Sequence, residues 1–271
     1  MHLTTIERLR KAIGKKTPRK NELKILRTRL WLEYIFRYTG LSRKQLDIQL
    51  SNNKLEPTKH VIKWLKGDNC ATANSVSKVA RLVCPQSEEF FDLPLFELLE
   101  PSPLTNKQLD ALMNNYMVHI PLKLWNFPIN TDNTNIFPQP PLVYRGDSEA
   151  LAERGDIYGF MAILYLIRKA ENDNDIDAHI VHMSHAYNAF AGFARHVNFR
   201  HRWKELLEAL QVVQARLPVS SLLIIPDIEA ISKQMHAKEH KTMRYLREWS
   251  HKSFRFNDIE RAYKQAEITY V

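Results

Sequence analysis

The chain has 271 residues, of which 44% are hydrophobic and 25% charged, which is typical of a folded protein of one or two domains and excludes a disordered chain. The longest apolar run, residues 160–167, is too short to span a membrane, and the charged N-terminus lacks a secretory signal, so we expect a cytoplasmic protein. The chain's net charge of +9 is the sum of +12 in residues 1–66, where 17 basic residues outnumber 5 acidic ones, and −3 in the remaining residues, and this placement favours contact with a polyanion.

The composition predicts a mainly α protein. Only 7 glycines occur, and apolar residues alternate with polar ones at a period of two almost nowhere. We expect an N-terminal helix-turn-helix bundle followed by a larger helical domain. The first domain would cover residues 1–100, with a basic arm at its start and a packing segment at its end. A Pro-Ser-Pro linker at 101–103 leads to a second domain, residues 104–271, for oligomerisation or partner binding.

Three helices are expected early in the first domain. The first covers residues 20–38, where apolar residues recur at helical spacing, and Gly40 after it suits a left-handed cap. Ser42 can cap the second helix through its hydroxyl group. Pro57 suits the first turn of the third helix, which runs to about residue 65, because proline lacks only an amide that would be unpaired there.

A fourth helix is expected to begin at Thr72 and to end near residue 83, before a proline interrupts the apolar pattern. Residues 90–99 are rich in Phe and Leu but contain Pro94. We therefore expect them to pack as an irregular arm against the four helices.

Two short motifs in this domain resemble those of the Cro/C1-type, or XRE-like, helix-turn-helix DNA-binding domains. They are Leu-Ser-Arg-Lys-Gln-Leu at 41–46 and Trp-Leu-Lys-Gly at 64–67, and the resemblance covers about residues 20–83. It implies a small helical bundle in which the third helix is the recognition helix. Two features depart from the family pattern: Asp47 stands where a small residue such as Ala is usual, and the turn between the motifs is longer.

A recognition helix in the major groove reads base edges with side chains near its N-terminus, while neighbouring cations and helix N-termini hold phosphates. On the third helix, the residues expected at the bases are Thr58, Lys59, His60 and Lys63. Phosphate contact is expected from Ser42, Arg43, Lys44 and Lys66. A basic arm ahead of the first helix can lie along phosphates or in the minor groove, through Lys15, Lys16, Arg19 and Lys20. The alternative is a solvated tail and a charged helix face.

The second domain is predicted to be helical as well, with a long proline-containing loop over residues 126–142. A short strand or a buried turn is expected at 222–225, which periodicity does not distinguish. Helices are expected at about 104–118, 150–170, 176–193, 202–216 and 228–249.

Cations alternate with aromatic residues in two segments of the second domain, at 195–204 and 233–256. Such mixtures hold single-stranded nucleic acid or RNA through phosphate pairing and base stacking, but they also occur at ordinary helix boundaries. The residues of this candidate second nucleic-acid surface are Arg195, Arg200, Arg202, Lys241 and Arg244.

Histidines raise a metal hypothesis in two places. His236, Glu239 and His240 match the His-x-x-Glu-His zinc-peptidase motif, but the neighbouring residues are those of an exposed helix. His179, His182 and His185 recur every third residue, within a pattern typical of an ordinary packed helix. The two cysteines lack the spacing of a zinc site. We therefore expect no metal, no cofactor and no catalytic residue, so the chain is not expected to be an enzyme.

The charge distribution and the two motifs together predict a DNA-binding protein that contacts double-stranded DNA through the helix-turn-helix. It would act in transcriptional regulation, or in DNA targeting for a mobile-element or defence complex, as a homo-oligomer or with a protein partner. The alternative is a helical assembly subunit that binds a protein or a protein–RNA complex, with the basic face contacting RNA or shielding charge.

Overall fold

The computed structural model of the chain describes residues 22–51, 59–117, 147–216, 224 and 226–236. Every regular element in these ranges is a helix and none is a strand, so the prediction of a mainly α fold is confirmed. Within the same ranges, no helix combines the length and the apolar character that crossing a membrane requires. The basic arm, the loop at 126–142 and the segment after residue 236 lie outside the described residues.

The chain folds as two compact units. Unit 1 consists of Met1–Phe96 and Val197–Ala209, and unit 2 of Glu97–His196 and Leu210–Val271. The sequence interpretation had assigned residues 197–209 to the second domain. They belong to unit 1 because Phe199 is fully buried there and stacks on Phe90, with ring centroids 5.7 Å apart.

The helices of unit 1 follow the predicted order. They are α1 Glu22–Thr39, α2 Arg43–Leu50, α3 His60–Lys66, α4 Ala73–Leu82 and α5 Gln86–Phe91. Gly40 has φ +69°, the left-handed conformation expected after α1. Thr72 caps α4 by accepting the Ser75 amide. The expected irregular arm is wrong: its residues form the end of α5 and a further helix, α6 Pro94–Leu98, because proline is well suited to a first helical turn.

Aromatic residues form the core of unit 1. Trp31 on α1 is fully buried and meets the ring of Trp64 on α3 edge-on, with centroids 5.8 Å apart. It meets Phe91 of α5 in the same way at 5.6 Å, while Tyr34 stacks on Phe90 at 4.6 Å. Edge-on and offset contacts of this kind add to the free energy of apolar burial. They fix α3 and α5 against α1.

Unit 2 is built around one long apolar helix. Its helices include α7 Asn106–Met117, α8 Asp147–Arg154, α9 Ile157–Asp173 and α10 Ile176–Ala194. Almost the whole of α9 is buried, and its Phe160 stacks on Phe193 of α10 with centroids 4.5 Å apart. The predicted single helix at 150–170 is wrong, because Gly155 with φ +60° ends α8 and the Asp156 side chain caps α9.

Two further helices follow, α11 Trp203–Gln214 and α12 Ile228–His236. Both lie within predicted helical segments.

Candidate nucleic-acid interface

The polar face of α3 is exposed, and its apolar face is buried. Val61 and Trp64 are 0% and 5% exposed, whereas the predicted base-contacting residues His60 and Lys63 are exposed. The side chain of Ile62 is 43% exposed, so it adds an apolar surface between His60 and Lys63. Lys59 directly precedes the helix and is also exposed, and Thr58 lies outside the described residues. The structure therefore brings three of the four predicted base-contacting residues to one exposed segment.

The N-terminus of α2 carries the predicted phosphate contacts. Ser42 and Gln45 form a capping box: the Ser42 hydroxyl accepts the Gln45 amide at 3.3 Å, and the Gln45 side chain accepts the Ser42 amide at 2.8 Å. The Ser42 side chain is thus engaged within its own helix. Arg43 and Lys44 are exposed, as is Lys66 at the end of α3. These three cations are available to a phosphate backbone.

The N-terminus of α3 is capped by a side chain from another helix. Lys59 occupies the cap position with a left-handed φ of +56° and makes no side-chain cap bond. Instead, the Asp47 carboxylate of α2 accepts the buried Val61 amide, with a nitrogen–oxygen distance of 3.1 Å. Asp47 is 2% exposed. The acidic residue that departs from the family pattern therefore supplies the acceptor that α3 lacks, and its charge suits a helix N-terminus.

The C-terminus of α3 is held by Arg29 of α1. Its Nε donates to the Leu65 carbonyl and its Nη2 to the Lys66 carbonyl, both at 2.9 Å. A cation at a helix C-terminus is favourable, and the two bonds satisfy carbonyls that have no partner within the helix. Gly67 then turns the chain with φ +82°, and a Cβ there would lie 3.0 Å from Ile25 Cγ2. Side chains of two other helices thus fix both ends of α3.

Sequence reasoning did not identify either of these two supports. The sequence did contain an indication for Asp47, because this charged residue occupies a position where the Cro/C1-type pattern usually has a small one. Nothing in the sequence distinguished Arg29, since it is one of several cations on the same helix.

Among the residues of the candidate second surface, the three that the structure describes are not all exposed. Arg200 is exposed in unit 1, whereas Arg195 belongs to unit 2 and is partly buried. Arg202 is partly buried in unit 1, and two carboxylates engage it: Glu33 at 2.9 Å and Glu205 at 3.1 Å. Lys241 and Arg244 lie outside the described residues, as do Lys15, Lys16, Arg19 and Lys20 of the arm.

Of the three regularly spaced histidines, His179 and His182 are buried in unit 2, and His185 is partly buried. Burial above all, and then the charges of His182, Arg168 and Arg216, lower the pKa of His179 to about 4. The Nδ1 atoms of His182 and His185 lie 2.7 Å and 2.6 Å from the same Ser148 hydroxyl. No group of three His, Cys, Asp or Glu side chains in the described ranges is arranged to hold a metal ion. Glu239 and His240 lie outside those ranges.

Comparison of the chain with protein-family models, with curated proteins and with solved structures finds no match. The resemblance of residues 41–46 and 64–67 to the Cro/C1-type domains therefore stays a prediction. What bears on function is the set of exposed cations on α2 and α3 and the fixed position of α3.

Proposed function

We propose that the chain binds double-stranded DNA through α3 and the N-terminus of α2, as a helix-turn-helix protein in transcriptional regulation or DNA targeting. The observation that carries this proposal is that α3 is fixed at both ends, by Asp47 and by Arg29, while its cations remain exposed. A short helix whose ends are held by other helices can present side chains at defined positions, which base readout requires.

The electrostatics of the same surface supports contact with a polyanion. Among the described residues between positions 40 and 67, Asp47 is the one acidic residue, and its side chain is buried. The five cations in this stretch are exposed: Arg43, Lys44, Lys59, Lys63 and Lys66. Exposed positive charge of this kind attracts the phosphate backbone and makes the affinity dependent on salt concentration.

The size of α3 suits a major groove. An α-helix with its side chains is about 10–12 Å in diameter. The groove of B-form DNA is about 12 Å wide and accepts a helix. Lys59 and Lys63 would reach base edges from such a position, and Lys66, Arg43 and Lys44 would contact the flanking phosphates.

The test is fluorescence anisotropy of a labelled random-sequence duplex, titrated with the full chain at several salt concentrations. The double variant K59A/K63A is expected to lose at least about tenfold in affinity, by the magnitude usual for base and phosphate contacts. The control K107A/K233A removes two exposed lysines of unit 2 and is expected to bind like the wild type.

Two results would overturn the proposal. The first is equal affinity of K59A/K63A and wild type, which would remove α3 from the interface. The second is no duplex binding even at low salt, together with co-purification of a protein or a protein–RNA complex. That second result would favour the assembly-subunit alternative.

A further inference from the structure

The exposed face of α3 carries one large apolar side chain among its cations. This side chain is Ile62, which is 43% exposed. Residues three and four positions apart lie beside each other on a helix, so the neighbours of Ile62 along this face are Lys59 and Lys66. Lys63, the next residue in the chain, is exposed as well. Ile62 is thus an apolar position within a group of exposed lysines.

Hydrogen bonds fix the backbone on both sides of Ile62. The amide of the preceding residue, Val61, donates to the Asp47 carboxylate at 3.1 Å. The amide of the following residue, Lys63, donates to the Lys59 carbonyl at 3.2 Å. The side chain is restricted too, because a β-branched residue has one strongly preferred χ1 rotamer in a helix. Ile62 therefore presents its apolar surface at a defined position.

The fold does not account for an isoleucine at this position. Apolar burial stabilises a protein in proportion to the area removed from water, and Ile62 keeps a large part of its area in water. Isoleucine is also a weaker helix former than lysine. The exposed His60 differs in this respect, because its ring stacks on the buried Trp64 with centroids 6.0 Å apart. Single exposed apolar residues are common on protein surfaces, and what distinguishes Ile62 is its place on a fixed helix among cations.

We propose that Ile62 is a specificity-determining residue that contacts the methyl group of a thymine in the major groove. This inference rests on the proposed function of α3. The thymine methyl is an apolar group that projects into the major groove, and apolar side chains recognise it by direct contact. The surrounding lysines attract the phosphate backbone whatever the sequence, so Ile62 adds a preference that their charge does not provide. Uracil lacks this methyl group, and the same contact therefore favours DNA over RNA.

The experiment uses the full chain and the variant I62A. Leu82 is 49% exposed on α4 of unit 1, so L82A is the matched control for the loss of an exposed apolar side chain. Wild type first selects its preferred duplexes from a random-sequence pool. Each thymine of the selected site is then replaced singly by deoxyuridine, which removes only the methyl group. Fluorescence anisotropy measures the affinity of each protein for each duplex.

At one position of the site, wild type is expected to bind the thymine duplex about fourfold more tightly than the uracil duplex, which is the factor for burying one methyl group. L82A should show the same ratio. I62A should bind the two duplexes equally, because its shorter side chain leaves a gap in front of the methyl group. The melting temperature of I62A should be close to that of wild type, since alanine is a good helix former at an exposed position. A loss of discrimination in I62A is then separate from any loss of folding.

The role of Ile62 and the proposed function fail in different ways. Selected sites without an enriched thymine, or equal wild-type affinity for thymine and uracil at every position, would refute the role of Ile62. Discrimination that persists in I62A would also refute it, because another residue would then contact the methyl group. These results leave the proposed function intact where K59A/K63A has lost duplex binding. Wild-type binding by K59A/K63A, or no duplex binding by wild type, would overturn the function of α3 and the role of Ile62 with it.

Discussion

Replacing Asp47 by Ala is expected to loosen the N-terminus of α3. The carboxylate is the acceptor of the Val61 amide at 3.1 Å, and Val61 is fully buried, so water cannot easily replace the lost acceptor. Leaving a buried donor without an acceptor costs about 1–3 kcal/mol, and loss of an N-cap costs about 1 kcal/mol. The two free-energy costs refer to the same hydrogen bond, so they are not added together. We therefore expect Asp47→Ala to destabilise α3 by about 2 kcal/mol.

The Asp47→Asn variant separates the role of the acceptor from that of the charge. It keeps a side-chain oxygen and nearly the same volume, and a bond to a neutral acceptor is weaker than one to a carboxylate by about 1 kcal/mol. Its expected loss is thus about half that of Asp47→Ala. If both variants lose the same amount, the carboxylate charge rather than the acceptor atom holds α3.

Amide hydrogen exchange at Val61, followed by NMR, measures this effect directly. A loss of about 2 kcal/mol corresponds to about 30-fold faster exchange where local opening controls the rate. The control is Asp68→Ala, which removes an exposed acidic residue just after α3 and should leave the Val61 amide protected. Unchanged exchange of that amide in Asp47→Ala would show that the carboxylate does not support the helix.

Three further substitutions test the packing of the two units. Gly67→Ala should lower the free energy of unfolding in urea by about 1–2 kcal/mol, because φ is +82° and the new Cβ would lie 3.0 Å from Ile25. A stability equal to wild type would contradict this. Burial lowers the pKa of His179 from its ordinary 6.5 to about 4, so the unfolded chain binds a proton first as the pH falls. The free energy of unfolding should therefore fall as the pH is lowered from about 6.5 to about 4, and His179 should contribute roughly 1.4 kcal/mol per pH unit to this decrease. The His179→Gln variant should lack that contribution to the pH dependence of stability. Tyr187→Phe deprives the buried Gln214 side chain of its hydroxyl donor and should cost about 1–2 kcal/mol in thermal unfolding, whereas an unchanged melting temperature would refute the bond.

Features that depend on neighbouring residues could be predicted well. The cap at Ser42, the left-handed Gly40 and the start of α4 after Thr72 each depend on a few adjacent residues. The break between α8 and α9 also had a local signal in Gly155 and Asp156. The prediction of a single helix missed this break because apolar residues lie on both sides of it, at 150–152 and from 157 onwards, so periodicity alone does not locate a helix end.

The candidate site was predicted in part. Exposure of Lys59, His60 and Lys63 follows from the spacing of the apolar residues on α3, so these positions could be named from the sequence. The supports of α3 could not, because Arg29 reaches Leu65 across 36 positions in the chain. Which distant residues meet depends on how the helices pack, and no local pattern encodes that.

The sequence by itself determined that the chain is mainly helical, that its positive charge is concentrated at one end, and which positions of α3 are polar. These properties follow from composition and from spacing within single helices. Only the tertiary structure decided that Asp47 and Arg29 hold the two ends of α3, and that Phe199 joins unit 1 by stacking on Phe90. Such pairs join residues that are far apart in the chain, and they form because burial of the apolar faces brings their helices together.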